Sequence, residues 1–176
     1  FIDSKHAGLW VGTKQGMALL DRRNQDFSWF RNDPRFRESL ASNQVSGIYE
    51  DNFNVLWVAT SGGGTSRFSL DRQWFTHIRY NPNLKNSLPS PYVRSIIASK
   101  DNSVLFGTDQ GLATWDATEN RFLKSPTIPH VGSKSISHLQ RDSRENLWIS
   151  TRGEGLIRHH PENGTSYFYH EPDNVG

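Results

Sequence analysis

The chain of 176 residues contains no cysteine. That absence removes disulfide scaffolds, thiolate metal sites and cysteine nucleophiles together, while leaving the compartment open. Long apolar runs are absent as well. No window reaches the ~18 consecutive apolar residues of a helical membrane span, and no basic, apolar leader opens the sequence. The expectation is a chain soluble throughout or a piece of something larger, with any membrane attachment lying in other parts of the parent protein. Nor does one sign of charge dominate: 20 Lys and Arg face 18 Asp and Glu, a formal net charge of +2. So weak a field does not draw in nucleic acid.

What the chain does contain is aromatic and repetitive. Aromatics make up 12% of it, with six Trp, and runs suited to helices are scarce, a mixture that favours strands. The stretch "NVLWVATSGGG" (54–64) returns as "GLWVGTKQG" (8–16), "SVLFGTDQG" (103–111) and "NLWISTRGEG" (146–155). In this register Thr13, Thr60, Thr108 and Thr151 stand 47, 48 and 43 residues apart. Periods of ~40 to 50 residues built from short strands mark propeller blades.

Each repeat reads as four short strands. An alternating run, as in "VSGIYED", "VRSIIASKD" and "ISHLQRD", precedes three of the four threonines, a glycine turn and a third run follow, and an aromatic fourth run closes on Pro34, Pro82, Pro129 or Pro172. Proline cannot donate to a ladder, so it releases the outermost strand to the next blade. The expected fold is all-β, a single propeller segment over 1–176 with four-stranded antiparallel blades at about 1–34, 43–82, 91–129 and 134–172. One blade cannot cover its own two apolar faces, so Trp10, Trp57 and Trp148 are expected to fill the spaces between blades. The third repeat has Leu105 in that position, with Phe106 or Trp115 as the expected filler.

The segments "VSGIYEDNFNVLWVATSGGGTSRFSLD" and "ISHLQRDSRENLWISTRGEGLIRHHP", with the connector "NPNLKNSLPSPYV", resemble the two-component regulator propeller repeat. The third copy departs most from it, with "LFGT" for the tryptophan motif and no glutamate before Asp101. The resemblance implies a sensor module of bacterial hybrid histidine kinases or diguanylate cyclases, placed in the periplasmic part of an inner-membrane protein. It further implies rings of seven blades, so that about four would be a fragment of a larger propeller, and an oligosaccharide as one class of ligand. An open stack of blades would also expose a face at each end and invite self-association.

Sharper chemistry finds little support. "GTKQG" and "SGGGTS" are followed by no "GKS" or "GKT" and by no helical pattern, and the element recurs four times, so hairpin turns explain them better than phosphate cradles. Asp51, Asp101 and Asp142 come one per blade, which suits turn capping better than a catalytic pair. His159 and His160 are adjacent and so face opposite sides of a strand, and no metal or cofactor is expected. "NGT" at 163–165 reads first as a tight turn. No catalytic set is assigned.

If a ligand binds, the loops between second and third strands and the connectors between blades open on one face. They carry Lys14, Gln15, Ser61, Asp109, Gln110, Arg152 and Glu154, with Asn43, Tyr92 and Lys134. The leading expectation is a non-enzymatic sensor. Its rivals are a propeller lyase or hydrolase acting on polysaccharide through Asp109 and Glu154, and a structural spacer that mediates dimerisation.

Overall fold

The computed structural model describes residues 2–4, 8–70, 74–84, 87–99, 103–123, 127–160 and 162–170. They form only strands, turns and connectors, arranged as four antiparallel sheets of four strands each. The first sheet comprises β1 (Ile2–Ser4), β2 (Gly8–Thr13), β3 (Gly16–Leu20) and β4 (Phe27–Phe30). The second comprises β5 (Val45–Glu50), β6 (Val55–Thr60), β7 (Gly64–Ser69) and β8 (Trp74–Ile78). In the third lie β9 (Val93–Ala98), β10 (Ser103–Thr108), β11 (Gly111–Asp116) and β12 (Arg121–Leu123), and in the fourth β13 (Ile136–Arg141), β14 (Leu147–Thr151), β15 (Leu156–His159) and β16 (Ser166–Tyr169). Every sheet runs in chain order, as a propeller blade does.

Alternation along the central strands supplies both faces. Trp10 of the first sheet packs with Leu56, Val58, Phe68 and Phe75 of the second. Trp57, on the other face of β6, packs with Val104, Phe106 and Trp115 of the third. Leu105 then packs with Leu139, Leu147 and Ile149 of the fourth. The core is thus three layers between four blades, because residues one apart on a strand face opposite ways.

This arrangement corrects two expectations. Phe106 and Trp115 do not fill the space beside Leu105; they lie in the layer shared with Trp57, on the opposite face of their sheet. The shorter Leu105 is compensated instead by Ile128 and Val131 from the connector. Trp10 and Trp57 are buried, but Trp148 is only half-buried, because it sits on the face of the fourth sheet turned away from the third.

The repeated threonine and glycine close the hairpin between second and third strands. The hydroxyls of Thr13, Thr60, Thr108 and Thr151 donate to the carbonyls of Gly16, Gly64, Gly111 and Gly155 at 2.7–2.9 Å. Gly64 has φ +76°, and a Cβ there would lie 2.5 Å from the Ile78 carbonyl oxygen. Positive φ and close approach of the fourth strand both demand glycine. Pro34, Pro82 and Pro129 follow their outer strands, while Pro172 and Asp101 lie outside the described residues.

Candidate functional site

The first strand of each later sheet contains one extra residue near its start. Val45 pairs with Thr60 and Gly47 with Ala59, which leaves Ser46 unpaired. Arg94 is bypassed in the same way between Val93 and Ser95, and Ser137 between Ile136 and His138. Such bulges re-aim a side chain out of the regular alternation. At the second blade the bulge residue is Ser46, whose hydroxyl donates to the Val93 carbonyl of the next blade. At the third it is a cation.

Arg94 makes a two-pronged pair with Asp109: Nε donates to Oδ1 at 2.9 Å and Nη2 to Oδ2 at 2.7 Å. The Ser135 hydroxyl donates to the same Oδ1 at 3.0 Å. These bonds, led by the Arg94 guanidinium, hold the Asp109 carboxyl below the usual range, and Asp109 in turn raises Arg94. The guanidinium carbon also lies 5.7 Å from the Tyr92 ring centroid, within cation–π range. Tyr92 itself remains 45% exposed, so one face of this cluster is open.

Backbone bonds fix the loops that carry these groups. Asp109 N donates to Tyr92 O, Ser61 N to Gln44 O, and Arg152 N to Ser135 O, so the hairpin turns of the second, third and fourth sheets are tied to the connectors that begin their own blades. Gly64 N to Pro91 O and Gly111 N to Lys134 O tie the second and third sheets' turns to the connector of the next blade. The rim is therefore rigid where it joins blades. Lys134 pairs with Glu154 across one such junction, beside an open depression of about 940 Å³ lined by Thr151, Phe168, Tyr169 and His170.

The structure brings together Tyr92 and Asp109 at one junction and links Lys134 with Glu154 at the next, with the Arg152 backbone bonded to Ser135 between them. Gln110 donates its backbone N–H to Thr108 Oγ1 and lies on the same turn as Asp109. Lys14 and Gln15 occupy the exposed β2–β3 turn of the first sheet, where the Gln15 N–H bonds to Thr13 Oγ1. Sequence reasoning missed Arg94 and Ser135. The signal for Arg94 was the position after the β-branched residue in "VRSI", occupied by serine in "VSGI" and "ISHL".

A second polar constellation sits at the opposite end of the central strands. Asp51 Oδ1 accepts from the N–H groups of Phe53 and Val55, and its Oδ2 accepts from Trp57 Nε1 at 2.8 Å. Asp142 serves Arg144, Asn146 and Trp148 in the same way. Bonds from the Trp148 indole and Asn146 hold the Asp142 carboxyl far below the usual range. The position equivalent to these aspartates in the third sheet is Ser99, whose N–H bonds Ser103 O as Asp51 N bonds Val55 O. The sequence alignment on Asp101 was therefore out of register, and the sheet that lacks the indole also lacks its carboxylate partner.

The hairpin at 160–165 is a tight turn, with His160 N donating to Thr165 O and Gly164 N to His160 O. His159 bonds Ser166 Oγ through Nδ1 at 2.9 Å, while His160 meets the Tyr167 ring. No group of three His, Cys, Asp or Glu is placed to hold a metal among the described residues.

Residues 39–62 match the family model described as two component regulator propeller. The chain carries the two-component regulator propeller repeat. Histidine kinase P4 of Formosa agariphila is 30% identical over 89 residues, which cover 47% of this chain and 6% of that protein. Among solved structures, the extracellular domain of a protein assigned as a hybrid two-component system of Bacteroides thetaiotaomicron superposes with a TM-score of 0.77 at 22% identity, covering 95% of this chain and 22% of that one. The extracellular domain of a second protein from the same organism, assigned as a one-component system, gives 0.74 at 19% identity, covering 99% of this chain and 24% of that one. Streptogramin B lyase gives 0.65 at 15% identity over 98% of this chain and 54% of its own. The likeness establishes a β-propeller fold, and the chain spans less than a quarter of the two extracellular domains.

Proposed function

We propose that this propeller segment is a non-catalytic sensing module from the extracytoplasmic part of a bacterial membrane-bound signalling protein, and that it binds a small polyhydroxylated ligand such as an oligosaccharide at the rim around Arg94. The observation that carries the reading is the Tyr92, Arg94, Asp109 and Ser135 cluster. It offers an exposed aromatic ring beside donors and acceptors whose positions are fixed before a ligand arrives, an arrangement that lowers the ordering cost of binding. The regulator propeller repeat at 39–62, the histidine kinase relative and the shape shared with extracellular domains support the signalling context. A larger ring of blades in the parent protein belongs to the same reading.

Binding is favoured over rim catalysis by the state of the two carboxylates. Asp109 is committed to Arg94 and Ser135, and Glu154 to Lys134. A carboxylate held ionised by a guanidinium is a poor proton donor at neutral pH. Calorimetric titration with a panel of defined neutral and acidic oligosaccharides tests the proposal. Saturable binding that disappears in Arg94→Ala and weakens in Tyr92→Ala is expected. Binding untouched by both changes, or turnover lost in Asp109→Asn or Glu154→Gln, would overturn it.

A further inference from the structure

Resting on the ligand surface proposed around Arg94, we infer that this surface continues into a second subsite over Gly62 and Gly63, which takes one acidic sugar unit. The hairpin turns of the other three sheets carry long side chains: Lys14 and Gln15, Asp109 and Gln110, Arg152 and Glu154. In the second sheet the turn reads Ser61, Gly62, Gly63 before the Gly64 that opens β7. It leaves a hollow of about 250 Å³ lined by Ala41, Gly62, Gly63, Arg79, Tyr80 and Pro91.

The floor of the hollow is fixed. At Gly63 a Cβ would lie 2.8 Å from Thr60 Oγ1 and 2.9 Å from the Ala41 carbonyl, so close approach of the connector demands glycine. Gly62 has φ +87°, and a Cβ there would meet only the Tyr92 ring edge, at 3.8 Å. A side chain on Gly62 would therefore rise beside that ring at the border of the hollow, and glycine keeps the border clear. The turn is held on both sides, by Ser61 N to Gln44 O, Ser42 Oγ to Ser61 O and Gly64 N to Pro91 O. Its shape is set before a ligand arrives, which lowers the ordering cost of binding.

Two tyrosines and one arginine border this floor. Tyr80 is 39% exposed and bridges to the buried Leu88. Tyr92 touches the Gly62 position with its edge and has the Arg94 guanidinium 5.7 Å from its centroid, so one ring joins the hollow to the Arg94 cluster. Both rings offer apolar surface to a sugar ring.

Charge distinguishes the two subsites. Arg94 is neutralised by Asp109, whereas Arg79 is exposed and its guanidinium forms no ion pair or hydrogen bond among the described residues. A free guanidinium suits a carboxylate, which it can bind through two parallel bonds. The hollow is smaller than the roughly 300–1,000 Å³ of a pocket that takes a whole drug-sized ligand. It therefore holds one unit of a ligand whose next unit lies at Tyr92 and Arg94. The second and third sheets are each covered on both faces within this chain, so blades added at either end of the stack would not lie against the hollow.

Calorimetric titration of the 176-residue chain with pairs of oligosaccharides matched in length and linkage, one neutral and one with a single uronate unit, tests this. The acidic member of a pair is expected to bind about tenfold or more tightly than the neutral one. That preference falls toward one in Arg79→Gln and is kept in Arg79→Lys. Tyr80→Ala weakens the acidic member, as does Gly62→Asn, which fills the border with a residue that tolerates left-handed backbone. Binding that is lost in Arg94→Ala but equal for both members of each pair, or unaltered in Arg79→Gln and Tyr80→Ala, overturns the second subsite and leaves the Arg94 surface standing. An acidic preference that depends on Arg79 while Arg94→Ala and Tyr92→Ala bind as the parent does overturns the Arg94 surface, and with it a ligand shared between the two. A panel with no binding member overturns both.

Discussion

Asp51 accepts a hydrogen bond from the indole of Trp57 at 2.8 Å while its other oxygen receives two backbone N–H groups of the intervening turn. One side chain thereby closes the turn between first and second strands and orients the ring that fills the layer to the next blade. Removing the carboxylate strands three donors. Hydrogen bonds to charged groups contribute roughly 1.5–3 kcal/mol, so Asp51→Ala is expected to cost about 2–3 kcal/mol in urea unfolding. Trp57→Ala is expected to cost about 3–5 kcal/mol through the cavity it leaves. The Asp51→Ala and Trp57→Phe changes share a partner, so their effects couple by about 1 kcal/mol in a double-mutant cycle. Strict additivity would show that the indole bond contributes nothing.

Gly64→Ala places a Cβ 2.5 Å from the Ile78 carbonyl oxygen on a backbone of φ +76°. Left-handed backbone alone costs a non-glycine residue about 1–3 kcal/mol. Unfolding free energy is expected to fall by at least that amount, whereas Gly153→Ala, also at positive φ but with open space around it, should cost less. Equal losses at the two positions would show that contact with the fourth strand is irrelevant.

The rim charges are expected to matter little to stability. The Arg94 and Asp109 side chains are 27% and 24% exposed, and partly solvated pairs contribute about 1 kcal/mol or less. Arg94→Ala should therefore lower stability by at most about 1 kcal/mol, and Arg152→Ala by less than about 0.5 kcal/mol. A thermal melt of either variant that loses cooperativity would place that residue in the architecture rather than at a site.

Two titrations shape the acid response. Burial lowers His77 and His159 below the ordinary 6.5. His77 Nε2–H donates to Arg37 O at 2.9 Å, and its Nδ1 accepts from Ser66 Oγ at 3.2 Å; burial outweighs the Arg37 bond, which favours the charged ring, and tips the folded state toward the neutral form. The unfolded chain takes up these protons first. Stability is complete above pH 6.5 and falls as pH drops toward the folded values. Asp109 and Asp142 are lowered from 3.8, so their contribution is complete above that pH and is lost as pH falls through their folded values. Urea melts between about pH 7.5 and pH 5 should show a slope that His77→Gln reduces. An unchanged slope in that variant would rule out His77 as its source.

The hairpin chemistry was legible because it repeats: threonine, turn and glycine recur in all four sheets and serve one bond. Trp10 and Trp57 were legible as interlayer residues for the same reason. The link from Asp51 to Trp57 was not, since a bond across a turn between side chains six apart has no periodic signature. Asp51 and Asp142 each stand nine residues before their threonine, and the same count from Thr108 leads to Ser99; Asp101, seven before it, matched by residue type alone in the copy that has neither the tryptophan nor its carboxylate. Arg94 stayed hidden because a bulge breaks the period of two on which facing is read. Trp148 shows a different limit: a repeat identifies a docking residue but not whether a blade lies against it.

The central claim is that the rim around Arg94 is the ligand surface. Backbone amide chemical shifts recorded during titration with the best-binding oligosaccharide of the panel test it most directly. The account predicts perturbations concentrated at Tyr92, Arg94, Asp109, Gln110, Ser135 and Arg152, absent in Arg94→Ala. Perturbations confined to the Trp148 and Tyr169 face, or to the turn around Asp51, would contradict it.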